Sequence, residues 1–190
     1  MSGGCLAFAG TDMQRAQGIE DSDELLFKDL REVGQMENDE ALVRAYVANQ
    51  LDTYEWLRSH GVVFLPVLEA SSGQSVPRVH NVDPADMVRT LAARCEDSGH
   101  VTVLLNTAAE RLLLDAVGRV MGVQARTQGR LINVRGQADI ILASGGFCRN
   151  AELVHRFAPQ YDNAFFIGGA GNVGDGLKMA LNIGAAPYGN

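Results

Sequence analysis

Apolar positions three and four residues apart mark the helices of this chain. Across residues 39–59, Val43, Val47, Leu51, Tyr54 and Leu57 share one helical face. Residues 21–33 read as an earlier helix, with Ser22 at the N-cap, Asp23 and Glu24 in the first turn and Gly34 as the stop. A third helix opens at "VDPADM", with Asp83 as cap and Pro84 in the first helical position. Its buried stripe is predicted to be Met87, Val88, Leu91, Ala92 and Cys95, and Gly99 closes it. Elsewhere the period shortens. Residues 62–64, 100–106 ("HVTVLLN") and 138–143 ("ADIILA") predict strands, the last a buried parallel one. Residues 66–82, with Pro66, Pro77 and "SSGQS", predict a loop. "ERLLLDAVGRVMGVQAR" predicts two strands about a turn at 116–118. "GRLINV" adds a third strand before a turn near Gly136, completing a small antiparallel meander. Asn150 caps a helix over 151–157, and "GNVGDGLKMALNIGA" reads as a glycine-rich loop entering a helix that ends at Gly184. Helices alternate with strands, so the expected class is α/β, in one domain.

Composition narrows the function. The chain has 190 residues, 46% hydrophobic and 21% charged, the balance of a soluble globular protein. Its formal net charge is -7 and it has no basic cluster, which argues against a nucleic-acid partner. No apolar run is long enough for a bilayer and no secretory pattern opens the chain, so no membrane partner and a cytoplasmic location are expected. Cys5, Cys95 and Cys148 form no CxxC, and the four histidines are scattered, so reduced thiols and no structural metal are expected. Glycine stands out, in three groups: Gly3 and Gly4; Gly145 and Gly146; and Gly168, Gly169, Gly171, Gly174 and Gly176. These are either ordinary turns or three loops approaching one ligand.

The chemistry of those loops is backbone chemistry. "ILASGGF" ends an apolar strand in bare main chain, at the sheet edge where ligands bind in open α/β folds. "GNVGDGLKMA" places amides at a helix start, which suits a phosphate or a ring oxygen, or simply caps the helix. Asp175 would repel a phosphate, and is expected instead to cap the helix or to orient neighbouring backbone. No GKS or GKT follows, so this is not a Walker A loop. GxGxxG after a first strand is also absent, so the first βαβ unit of a dinucleotide fold is missing.

Six stretches in order carry a resemblance: "SGG" at 2–4, "AGTDMQRAQGIEDSDELLFKDL", "WLRSHGVVF" with "RVHNVDPADMVRTL", "NTAAERLLLDAVGRVMGV", "ILASGGF" and "VGDGLKMALNIGA". Together they resemble the flavoprotein superfamily of FAD-dependent fumarate reductases and succinate dehydrogenases, in its soluble fumarate reductase and 3-ketosteroid dehydrogenase branch. The resemblance implies a partial, Rossmann-like FAD-binding domain over 1–190. It also implies FAD as cofactor and hydride transfer to or from a C–C bond of a small enoate or ketone substrate. Backbone contacts are implied at Ser2, Gly3 and Gly4 along the flavin, and at Ala108 by the adenine. Others are implied at Ser144, Gly145 and Gly146 near the adenosine, and at Gly174, Asp175 and Gly176 near the isoalloxazine. Arg78 and His80 fall near the family's substrate cleft. They read as carboxylate-binding or proton-steering groups, or as a surface loop with an exposed arginine and a hydrogen-bonded histidine. The family's GxGxxG unit and its clamp domain, with the catalytic arginine and the substrate-binding arginine and histidine groups, have no counterpart here. The chain is therefore expected to be an internal fragment with no catalytic side chain of its own. Two rival expectations are a non-catalytic fragment that oligomerises through an exposed sheet edge, and a binder of a smaller nucleotide.

Overall fold

Capping side chains and apolar stripes set the helices of residues 2–102. The structure, a computed structural model, describes residues 3–188 and divides into two compact units, 2–102 and 103–190. The first holds helices α1 (Asp12–Ala16), α2 (Asp23–Val33), α3 (Glu40–Ser59) and α4 (Pro84–Ser98). Its strands are β1 (Cys5–Ala7), β2 (Phe64–Glu69) and β3 (Val79–Val82), antiparallel in the order β1-β3-β2. The side chains of Ser22 and Asp83 accept first-turn amides, as their positions predict, and Asp39 does the same at the start of α3. Gly99 ends α4 at φ 66, a left-handed conformation that suits glycine. The apolar stripe of α3 delivers Tyr54 and Leu57 to a core completed by Phe8, Val62 and Val82.

Two expectations are corrected in this unit, and one helix is added. Residues 66–82 are largely a hairpin, because β2 continues through Pro66. The proline is tolerated since β2 lies at a sheet edge and its pairing shifts register between Phe64 and Leu68. The stripe of α4 is narrower than predicted: Met87, Leu91 and Cys95 are half-buried, while Val88 and Ala92 are exposed. Helix α1 is an addition. Its Thr11–Gln14 capping box closes in both directions, a T-x-x-Q signal legible in the sequence.

Residues 103–190 build the expected meander: β4 (Thr107–Leu114), β5 (Val120–Thr127) and β6 (Arg130–Arg135) in that order. Helix α5 (Ala151–Phe157) is capped by Asn150, and α6 (Asp175–Leu181) packs against β4. The strands predicted at 100–106 and 138–143 do not form. A strand needs a neighbour for its backbone groups, and neither run has a ladder partner among the described residues. Leu105 and Ile141 are accordingly 76% and 86% exposed.

Candidate functional site

Two glycine-bearing loops of the second unit are tied together. The Gly174 amide donates to the Gly146 carbonyl (3.1 Å), and the Arg149 amide to the Asn172 carbonyl (2.9 Å). Ser144 Oγ accepts the Gly176 amide at 3.1 Å, so its hydroxyl serves the first turn of α6. The structure therefore brings Ser144, Gly145 and Gly146 together with Gly174, Asp175 and Gly176. Glycine is required here partly by the protein's own packing. A Cβ on Gly176 would lie 2.2 Å from Ser144 Oγ, and one on Gly174 2.3 Å from Leu153 Cδ1. Gly145 sits at φ +77 with a hypothetical Cβ 2.6 Å from Asn172 Oδ1. Gly145→Ala is expected to cost about 1–2 kcal/mol from the left-handed backbone. Thermal melting of the full chain checks this, and an unchanged transition would refute it.

Gly146 differs. It is exposed, and a Cβ there meets nothing within 4 Å. Ala108, in β4 opposite Arg126, is likewise exposed. In the other unit, Gly3 is exposed and Gly4 buried, the latter pressed against the Val82 carbonyl. Ser2 lies outside the described residues.

Arg78 and His80 belong to β3 and its approach, and both are fully buried, so the exposed surface-loop arginine is corrected. Arg78 Nε and Nη2 donate to the two oxygens of Asp21 (2.8 and 2.6 Å), and Nη1 donates to Asp29 (2.6 Å). Burial pushes the Asp29 carboxyl up, but the Ser75 hydroxyl and amide and the Arg78 guanidinium outweigh it, so its pKa lies below the usual 3.8. The Arg78 pKa is raised in turn, because the two aspartates outweigh its burial. Gln14 Nε2 donates to Asp21 and to the Pro77 carbonyl, and Gln50 clamps both backbone groups of Ala9. The Tyr54 hydroxyl donates to Asp12 at 2.6 Å, and burial together with that carboxylate pushes the phenol up to about 12. Sequence reading missed this polar core. Asp21, Asp29, Gln14 and Gln50 sit on helices or loops where such residues ordinarily face water, and only tertiary packing reveals their partner.

A family model described as "FAD binding domain" matches residues 1–190, the whole chain. This chain belongs to the FAD-binding domain family. Among curated relatives, the fumarate reductase (cytochrome) of Shewanella frigidimarina is 32% identical over 98% of this chain and 33% of its own length. The urocanate reductase of Eggerthella lenta is 31% identical over 97% of this chain and 32% of its own length. The chain thus spans about a third of the curated relatives it matches. The open conformation of a flavocytochrome c3 fumarate reductase superposes with a TM-score of 0.90 at 26% identity, over 98% of this chain and 34% of that one. In this member of the family, the mixed helix-and-strand fold with its two small antiparallel sheets is that of the fumarate reductase FAD-binding domain. Among the described residues no helix is long and apolar enough to cross a membrane.

Proposed function

We propose that this chain positions the flavin of an oxidoreductase that reduces a carbon–carbon double bond beside a carboxylate or carbonyl. The observation that carries this reading is the exposed main-chain face at Ser144, Gly145 and Gly146, in a chain matched along its whole length by an FAD-binding family. That face suits a large planar cofactor because the open side of Gly146 is a space a Cβ would fill. Bound FAD supplies the hydride chemistry. The residues of this chain hold and orient. In unit 103–190, Ala108 and Ser144, Gly145 and Gly146 present backbone to the cofactor; in the other unit Gly3 offers exposed backbone, with Gly4 holding it against the Val82 carbonyl. Gly174, Asp175 and Gly176 set the loop that braces residues 144–146. Arg78 and His80 are saturated by internal partners, so their part is to order the fold around Gly3 and Gly4. The fumarate, urocanate and acrylate reductases among the relatives support an enoate as the substrate class.

Titrating FAD into the purified chain is expected to quench flavin fluorescence and raise the melting temperature. At a hundredfold excess over Kd the stabilisation is about 2.7 kcal/mol. Unchanged fluorescence together with an unchanged melting temperature would remove flavin binding from this chain. A second reading is favoured by Leu105, Ile141, Phe165 and Ile167, which are 76%, 86%, 90% and 91% exposed. Apolar surface of that kind promotes self-association. Light scattering that shows a monomer at every concentration would count against it.

A further inference from the structure

Alternate residues of β3 and its approach, Arg78, His80 and Val82, reach back to segment 3–11. The Val82 amide donates to the Gly4 carbonyl (2.9 Å), and the Phe8 amide donates to the Arg78 carbonyl (3.1 Å). Between them, the His80 ring meets the Thr11 hydroxyl at 2.8 Å. Strand β3 cannot slide without breaking the buried ion pairs of Arg78, so segment 3–11 is laid on a fixed template.

The partners of His80 define its protonation. Nδ1 faces the Arg78 carbonyl at 2.8 Å, an acceptor, so Nδ1 carries the proton. Nε2 is then an acceptor, and the Thr11 hydroxyl donates to it while its oxygen accepts the Gln14 amide (3.1 Å). The neutral ring satisfies every group. It is fully buried among Phe8, Tyr54 and Phe64, at centroid distances of 5.5, 5.3 and 6.0 Å. A proton on Nε2 would turn that acceptor into a donor, so the Thr11 hydroxyl would have to turn its own hydrogen away from the ring and leave it without this acceptor, and a charge would sit among aromatic rings.

The charged groups facing the ring are already committed. Asp12, from α1, is held by Tyr54 and Arg58 of α3. Asp21, from the loop after α1, is held by Arg78, which also holds Asp29 of α2. Burial outweighs the Arg78 carbonyl and the two carboxylates Asp12 and Asp21, so the ring pKa lies below the ordinary 6.5.

We propose that His80 is a proton-sensitive positioning residue: the neutral ring locks segment 3–11 onto β3 through Thr11, and the protonated ring releases it. The inference rests on the flavin reading only for its consequence, since the released segment carries Gly3 and Gly4. A histidine whose folded pKa is depressed contributes full stability above its unfolded value. That contribution is lost as pH falls from 6.5 towards the folded value.

Amide hydrogen exchange on the full chain without flavin, corrected for intrinsic rates, tests the lock at Phe8, Ala9 and Thr11. Local opening is expected to increase approaching tenfold per pH unit below about 6.5, with Ala125 in β5 as the unaffected control. His80→Gln keeps a donor and an acceptor without titrating, and its exchange should be flat with pH. Thr11→Ser, which retains the hydroxyl, should keep the wild-type slope even if His80→Gln fails to fold. A flat wild-type profile, the same slope in His80→Gln, or ring nitrogen shifts showing the proton on Nε2 would each overturn the proposal. If exchange follows pH while flavin binds at no pH, the lock stands and the flavin reading fails. If flavin binds equally across the range with flat exchange, the lock fails and the flavin reading stands.

Discussion

Replacing Arg78 with methionine is expected to destabilise the unit 2–102 by about 3–5 kcal/mol. Methionine fills much of the volume of the arginine stem but leaves Asp21 and Asp29, whose side chains are 0% and 5% exposed, without a countercharge. Asp29 keeps the Ser75 hydroxyl and amide, and Asp21 keeps the Gln14 amide group. Those neutral donors replace part of the loss but supply no charge. The pH dependence should change with it. In the wild type, the depressed Asp29 pKa contributes stability above 3.8 that is lost as pH falls through the folded value. Without Arg78 the Asp29 carboxyl loses its countercharge and its pKa rises from the wild-type value, so the penalty is largest at neutral pH and shrinks on acidification. Trp56 is the only tryptophan and lies in α3, so urea unfolding followed by its fluorescence reports on this unit. Adding Asp21→Asn and Asp29→Asn should recover part of the stability, because the uncompensated charges are then removed. A loss within the range of an exposed ion pair, below about 1 kcal/mol, would mean the triad is solvated and the core assignment wrong.

The parts of this fold that were legible share one property: their determinants lie within a few residues of each other. Ser22, Asp83 and Asn150 each cap the helix that follows, and the turn at 116–118 joins strands that pair as predicted. What failed depends on distant partners. An apolar run such as 138–143 carries the composition of a buried strand, but only a neighbouring strand makes it one. Arg78 read as a loop arginine because Asp21 and Asp29 lie 57 and 49 residues away in the sequence. The glycine groups sit between these cases. Their clustering at 144–146 and 174–176 was visible, and these two loops do meet. Which glycines clear space for the protein itself, and which for something outside it, required the positions of Ser144, Asn172 and Val82.

That distinction makes Gly4→Ala and Gly146→Ala opposite experiments. Gly4 has φ +79, and a Cβ would lie 2.1 Å from the Val82 carbonyl oxygen and 3.1 Å from Pro84 Cδ. The oxygen is backbone at the end of β3 and cannot rotate aside, while the Gly4 carbonyl is itself held by the Val82 amide. Left-handed strain of about 1–2 kcal/mol adds to overpacking of about 1–3 kcal/mol, so Gly4→Ala should lose about 2–5 kcal/mol of stability. Its effect on flavin is then inseparable from its effect on the fold. Gly146 has no positive φ and open space where its Cβ would be, so Gly146→Ala should change stability by less than about 0.5 kcal/mol. If that space belongs to the cofactor, the added methyl instead meets the cofactor and weakens FAD binding by about tenfold, the equivalent of ~1.4 kcal/mol. Melting curves and flavin titrations on the two variants separate the roles. A Gly146→Ala protein that binds FAD as tightly as the wild type would remove Gly146 from the cofactor face, and a Gly4→Ala protein of wild-type stability would show that β3 yields where the carbonyl contact says it cannot.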